Sequence, residues 1–480
     1  MDNTDLRIYL MKTIKNTSSL VENQIKTNGK YYNKRKEYYN IKEYIDKFLE
    51  NYNTDKFFIL PGLRGVGKTT IIYQLIHYLY TECELNISQI LYLNLDRLKN
   101  KGKIDLQLCM DIFIRDINEK QFINNEPLFI FVDEIQHVTD WGLVGKIVYD
   151  ETVNVFMVFS GSNALNLITD KDSARRSLKR EVSPLSFSEY LYLKYYCDFP
   201  SNMVEILTKM ILTGNIKEIS TIEKEIQTQI FLNLKRDIKK EWEDFIQSGG
   251  LPHTFNKNLI DTVDYTLETK DRIVERDIPL ISSLNTDTLG ASHPLLDIIA
   301  LQKPGTLSEQ RISNNLNIPK SEVHTLLNLL EKTLIIFHIE PYGSKTKRVR
   351  QAWEYYYFST QMKSCIFLTD GKSTEENKEY WGILLENYVA FSIFRLLRET
   401  IYKFSIFFDP RSGGVDFIIN TSKGKIIPIE VGIGKKKKRQ IISAINHYKS
   451  DYGIVISNAT DRIIKEDKVI FIPYTTFSLF

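Results

Sequence analysis

Residues 57–70 read Phe-Phe-Ile-Leu-Pro-Gly-Leu-Arg-Gly-Val-Gly-Lys-Thr-Thr, and the reading of the whole chain turns on this stretch. Phe57, Phe58, Ile59 and Leu60 have the continuous apolar character of a buried strand. They run into Gly62-Leu63-Arg64-Gly65-Val66-Gly67-Lys68-Thr69, a full G-x-x-x-x-G-K-[ST] match followed by Thr70 and the helix-spaced IIYQLIHYLY. Strand, glycine loop and helix, in that order, are the context in which this motif cradles phosphate. Backbone N–H groups turn toward one centre, and the helix N-terminus adds its positive end. Lys68 is then expected to reach the β- and γ-phosphates and Thr69 to ligate Mg²⁺. The motif therefore predicts a nucleoside triphosphate site, with ATP and Mg²⁺ as its cofactors.

Working outward, a second strand is expected across residues 89–95. A third, Leu128-Phe129-Ile130-Phe131-Val132, ends in Asp133-Glu134. An acid at such a strand end holds the metal opposite the loop threonine, and a following glutamate can orient or deprotonate water. Asp133 is thus the expected metal ligand and Glu134 the expected base. A fourth strand from Asn154 leads into Ser160-Gly161-Ser162-Asn163, where Ser162 or Asn163 is a candidate to meet the γ-phosphate or the water; a helix cap would also use such a serine. Beyond it lie Arg175, Arg176, Lys179 and Arg180. Arg180 is a candidate to stabilise phosphoryl charge. A solvated basic loop is the other reading, and is preferred for Arg175 and Arg176. An arginine acting in trans would bring in a second copy, so a homo-oligomer stays among the expectations.

These segments together resemble a prokaryotic AAA+ ATPase family with STAND-like relatives. The resemblance is carried by PGLRGVGKTT, VDEIQ, SGSNA and LKREVSPLSFSEY, and continues through SGGLPHTF at 248–255 and VERDIPL at 274–280. It implies a parallel sheet with the phosphate-loop strand central, then a helical lid that closes over nucleotide. Family members usually carry a glycine just before the arginine at 180, where this chain has Lys179.

A chain of 480 residues is too long for one core. Five segments are expected: an N-terminal extension over 1–34, the AAA+ core over 35–198, the lid over 199–290, a winged helix over 291–360 and a last domain over 361–480. The winged helix is read from three apolar-patterned helices, Asn317-Ile318-Pro319 as a turn, and two β-like stretches around a basic segment at 343–350. Lys320, Ser321, His324 and Asn328 would face outward from its third helix toward double-stranded DNA; the other reading is a winged helix that packs against the ATPase and binds no DNA.

The last domain becomes β-rich after a helix holding Glu386, with Asp416 and Glu430 on adjacent arms of one hairpin. Such carboxylates can share a divalent cation for phosphodiester hydrolysis. The arrangement resembles the PD-(D/E)xK nuclease fold, with Glu386, Asp416 and Glu430 as its acids. The lysine expected two places after Glu430 is replaced by Gly432, and the basic run 435–439 follows as a second possible phosphate-backbone contact.

The net charge of +3 is too small to argue nucleic-acid binding from the chain as a whole. No apolar run approaches the ~18 residues that span a bilayer, and the start has no signal-like apolar region. Four scattered cysteines without a C-x-x-C pair suit reduced thiols, and a cytoplasmic protein is expected. The fold class expected is therefore α/β: a P-loop AAA+ sheet with helical lid, winged helix and an α/β nuclease-like domain. The main functional expectation is an ATP-hydrolysing protein whose nucleotide state is coupled to those two modules on DNA. Its rivals are an ATP-driven switch for protein partners and an ATP-regulated, Mg²⁺-dependent nuclease.

Overall fold

In the computed structural model the apolar stretches become strands of one sheet: β1 (Phe57–Pro61), β2 (Ile90–Asn94), β3 (Leu128–Asp133), β4 (Val155–Gly161) and the short β5 (Leu178–Lys179). Their order is β2-β3-β4-β1-β5, and every pairing is parallel. All residues of β1, β3 and β4 are buried, as a parallel sheet covered on both faces requires. The structure describes all residues except 1–2, 99–104, 162–174, 283, 303–304, 372–376, 435–437 and 480, and except the side chains at 220 and 347.

The chain divides into two compact units, 1–183 with 276–283, and 184–275 with 284–480. This differs from the expected boundaries in three places. The segment 1–34 is no appendage: its helix, Asn3–Gln24, seats Leu6, Leu10 and Ile14 in the core with Phe57, Leu91 and Ile130. Residues 184–198 leave the first unit, because the Leu185 and Phe187 amides donate to the Gly250 and Ser478 carbonyls. And 276–283, expected within the lid, returns to the first unit.

The second unit begins with the helix Phe187–Tyr195, whose N-cap Ser186 and Glu189 form a reciprocal capping box. The helical periodicity of the 200s becomes Met203–Thr213, Ile219–Asn233, Ile238–Asp244 and Leu259–Arg272. Three helices follow, Ser292–Leu301, Glu309–Leu316 and Lys320–Lys332. They lead into the antiparallel pair β6 (Ile336–Ile339) and β7 (Glu354–Tyr357), with a Leu307–Trp353 bridge alongside. The basic segment between these strands is helical over Lys345–Arg350.

After the helices Thr360–Thr369 and Lys378–Glu399 comes a mixed sheet of β8 (Phe404–Phe408), β9 (Phe417–Thr421), β10 (Ile426–Val431), β11 (Gly453–Ser457), β12 (Ile464–Glu466) and β13 (Val469–Pro473). Its order is β8-β9-β10-β11-β13-β12, with β10, β11 and β13 parallel and the edges antiparallel. Ile418, Val455 and Phe471 pack there against Ile441, Ala444 and Ile445 of the helix Arg439–Tyr448. Among the described residues no helix is long and apolar enough to cross a membrane.

Candidate active site

The glycine loop forms as its sequence dictates. Gly65 and Gly67 stand at φ 86° and 98°, a left-handed region that glycine enters without a Cβ clash. Gly62 meets a different demand: a Cβ there would lie 2.3 Å from the Val182 carbonyl oxygen, so the first glycine lets two backbone segments touch. The helix Lys68–Thr81 starts from Gly67 with no side-chain cap, which leaves its first amides to the loop. Behind the loop, Arg35 Nη1 donates 2.8 Å to the Val66 carbonyl and pins it.

Lys68 is buried, and its Nζ donates 2.9 Å to each of the Gly62 and Leu63 carbonyls. Burial holds its ammonium below the usual amine range, against the pull of Glu134 and Asp133. At the end of β3, Asp133 is 1% exposed and ringed by donors. Thr69 Oγ1 donates 2.8 Å to Oδ2, Asn94 Nδ2 lies 3.3 Å and the Tyr92 hydroxyl 3.4 Å from the same oxygen, and Ser160 Oγ donates to Oδ1. Burial first, and Glu134 second, push its carboxyl above the usual range, while the Ser160 and Thr69 hydrogen bonds oppose them. The Thr69 hydroxyl and Asp133 carboxylate, in contact, make an oxygen donor set suited to a hard divalent cation such as Mg²⁺.

Glu134 follows with a left-handed backbone, φ 60° and ψ 47°, and receives a hydrogen bond from Gln136 Nε2 at Oε2. Arg64 Nη2 lies 3.6 Å from that same oxygen and 3.1 Å from Asp277 Oδ1. Burial works against the guanidinium's charge, but Glu134 and Asp277 more than offset it and raise its pKa. The structure thus brings together Gly62 through Thr69, Asp133 and Glu134. Sequence reading missed Asn94, Tyr92 and Ser160 around Asp133, and missed Asp277. Ser160 and Asp277 did lie in the quoted SGSNA and VERDIPL segments, the only signal available. Ser162 and Asn163 fall outside the described residues. Arg180 does not join the group: its guanidinium lies 6.0 Å from the Tyr44 ring, and Nη1 donates 3.2 Å to the Lys179 carbonyl.

The second expected site, in the other unit, takes a different form. Phe417 pairs with Ile429, which sets Asp416 opposite Glu430 across the β9–β10 turn, and Asp416 Oδ2 accepts the Val431 amide at 2.5 Å. Yet the strong electrostatic neighbours of Glu386 are Asp416 and Glu354, from β7, with Lys363 opposing them. The Tyr356 hydroxyl lies 2.9 Å from Glu354 Oε2 and 3.1 Å from Glu386 Oε1. A phenol has one proton to give, so it cannot make two full hydrogen bonds to both carboxyls at once. Burial, then Asp416 and Glu354, raise the Glu386 carboxyl well above its usual range, and burial raises that of Glu354 to about 7. Lys363, 4% exposed, is brought down by burial to about 8. Among the described residues no group of three or more His, Cys, Asp or Glu is placed to hold a metal. Residues 435–437 of the basic run lie outside the described residues, and Lys438 pairs with Glu466.

Comparison with known proteins bears on the domains of the chain. Residues 54–191 match the AAA domain family, 239–360 match a domain of unknown function (DUF8612), and 381–477 match another (DUF4143). Among solved structures the chain is similar to the Walker-type ATPase PABY2304 of Pyrococcus abyssi, at TM-score 0.37 and 15% identity over 70% of this chain and 95% of that one. It is also similar to the ORC1 protein of Aeropyrum pernix in complex with DNA, at TM-score 0.31 and 11% identity over 70% and 92%. The uncharacterized protein MJ1544 of Methanocaldococcus jannaschii is 24% identical over 85% of this chain and 82% of its own length. MJ1637 of the same organism is 32% identical over 93% and 90%. With a phosphate loop, a parallel five-stranded sheet and an AAA domain match at its front, the chain belongs to the family of MJ1637.

Proposed function

We propose that the first unit binds Mg²⁺·ATP and hydrolyses it. The observation that carries this reading is the contact between Thr69 and a buried Asp133, 2.8 Å apart, at the mouth of a glycine loop that holds Lys68. The bound cation would neutralise phosphate charge between Thr69 and Asp133. Lys68 would leave the Gly62 and Leu63 carbonyls for phosphate oxygens, which restore the charge partner that burial denies it. Glu134 would accept a proton from water as the water oxygen bonds to the γ-phosphorus and ADP leaves with the electron pair of the broken bond. Lys68→Ala tests the reading: ATP turnover by the purified chain should fall at least ~1,000-fold, and retained turnover would remove the assignment.

On what the nucleotide state controls, two readings remain, and one observation weighs between them. The three helices with β6 and β7 have the order of a winged helix, and Lys345 and Arg350 at its wing are exposed, which supports DNA. Against the outward helix Lys320–Lys332, however, Glu309 of the preceding helix sets Oε1 2.7 Å from His324 Nδ1 and Oε2 3.9 Å from Lys320 Nζ. An acid among the groups meant to meet phosphates favours a switch acting on protein partners. A gel shift across a salt series separates the two: binding through phosphates must weaken steeply with salt, and no shift at ~50 mM salt would leave the protein-partner reading. The nuclease reading has the strand order β8-β9-β10-β11 in its favour and, against it, Glu354 as a further acid acting on Glu386 that the expected set does not include.

A further inference from the structure

Arg64 and Lys68 are the two cations of the phosphate loop, and the structure gives them different work. Lys68 binds carbonyls of its own loop, whereas Arg64 reaches away to two carboxylates, Asp277 at 3.1 Å and Glu134 at 3.6 Å. The Asp277 side chain is 1% exposed, so its charge depends on partners such as this guanidinium. It lies outside the 54–191 match to the AAA domain and arrives on 276–283, a segment flanked on both sides by chain of the other unit. At Glu134 both donors, Arg64 Nη2 and Gln136 Nε2, stand at the same oxygen, Oε2. A left-handed backbone on a residue other than glycine is itself held by its surroundings.

We infer that Arg64 and Asp277 form a positioning pair for Glu134, an inference that rests on the hydrolysis reading above. Asp277 fixes a guanidinium that would otherwise sample many rotamers, the guanidinium fixes Oε2, and proton acceptance from water falls to Oε1. Asp277 touches no phosphate in this scheme, so its loss acts on the hydrolytic step and spares nucleotide binding.

The test is steady-state ATP hydrolysis together with mant-ADP affinity, on the full chain and on Asp277→Asn, Arg64→Ala, Arg64→Lys and the Arg64→Ala/Asp277→Asn double variant. A positioning pair gives kcat lower by about 10-fold for Asp277→Asn and about 100-fold for Arg64→Ala, with mant-ADP affinity within about threefold of wild type. Arg64→Lys recovers part of the loss, and the double variant is no slower than Arg64→Ala, since partners in one interaction do not add. Full kcat in Asp277→Asn overturns the inference. So does a loss of mant-ADP affinity as large as the loss in kcat, which makes Arg64 a phosphate ligand, and so do losses that multiply. Should Asp277→Asn not fold, equal losses in Arg64→Lys and Arg64→Ala overturn it. A wild-type chain that hydrolyses nothing removes the hydrolysis reading and this inference with it, whereas an active wild type beside a fully active Asp277→Asn removes the inference alone.

Discussion

Both units bury carboxylates, and they do so in opposite ways. Around Asp133 the neighbours are hydroxyls, an amide and a lysine, donors that tolerate a charged oxygen and can give way to a cation. Around Glu386 the neighbours are two more acids, a phenol with one proton to share and Lys363, a lysine whose own ammonium burial disfavours. Burial raises the carboxyl pKa in both places, but only the first pocket has oxygen donors on a mobile hydroxyl, beside a glycine loop, to receive the metal and phosphate that would reverse the effect. In the second, burial and the neighbouring acids together raise the carboxyls, and Lys363 opposes them at Glu386. A buried acid is therefore no sign of a metal site until its partners are counted.

The largest effect that separates the pockets is on turnover. Asp133→Asn keeps the shape but removes the charge and turns one accepting oxygen into a donor, and should lower kcat at least ~100-fold at saturating ATP and Mg²⁺. Glu134→Gln should do the same while leaving ATP bound, read as a stable complex on a desalting column. Glu386→Gln should leave kcat within about twofold of wild type. Equal losses at Asp133 and Glu386 would falsify the contrast drawn between them.

How far the sequence discloses these pockets follows from what each depends on. The first is written in two local stretches: loop glycines whose φ values demand glycine, and an apolar strand with acids at its end. What it does not disclose is sheet order, which puts Asn94 beside Asp133 through β2–β3 pairing, and the return of 276–283, since no local pattern records which core a helix will join. In the last domain the hairpin register that opposes Asp416 and Glu430 is likewise legible from alternating apolar residues and a turn. Glu354 is not, because β7 comes from the stretch assigned to the neighbouring segment, and Lys363 is not, because nothing local to the helix Thr360–Thr369 marks it as facing these acids. A motif read along one segment misses whatever another segment inserts into it.

A smaller effect tests the second pocket on its own terms, through pH. Glu354 titrates near 7 in the folded chain against an ordinary value near 4.5, and Glu386 is displaced in the same direction. Between those values the folded state binds protons that the unfolded state has released, so stability is full below about 4.5 and declines as pH rises toward 7. For Glu354 alone the loss is on the order of 3 kcal/mol. Differential scanning calorimetry should find a falling Tm across that window, and Glu386→Gln, which makes a proton permanent there, should flatten it. An unchanged slope in the variant would mean the carboxyls are ionised and paired after all.

Lys363 gives the opposite and weakest signal. Its folded pKa near 8 lies below the ordinary 10.5, so the penalty of burying an ammonium is present below 8 and relieved as pH rises toward 10.5. Lys363→Met keeps the apolar stem and drops the charge. At pH 7 it should raise Tm by a few degrees, about 1–2 kcal/mol, and should remove the gain in stability above pH 8 that the wild type shows. If the substitution instead lowers Tm at pH 7, the ammonium is compensating the carboxylates of Glu386 and its neighbours, and the second pocket holds charge as the first one does.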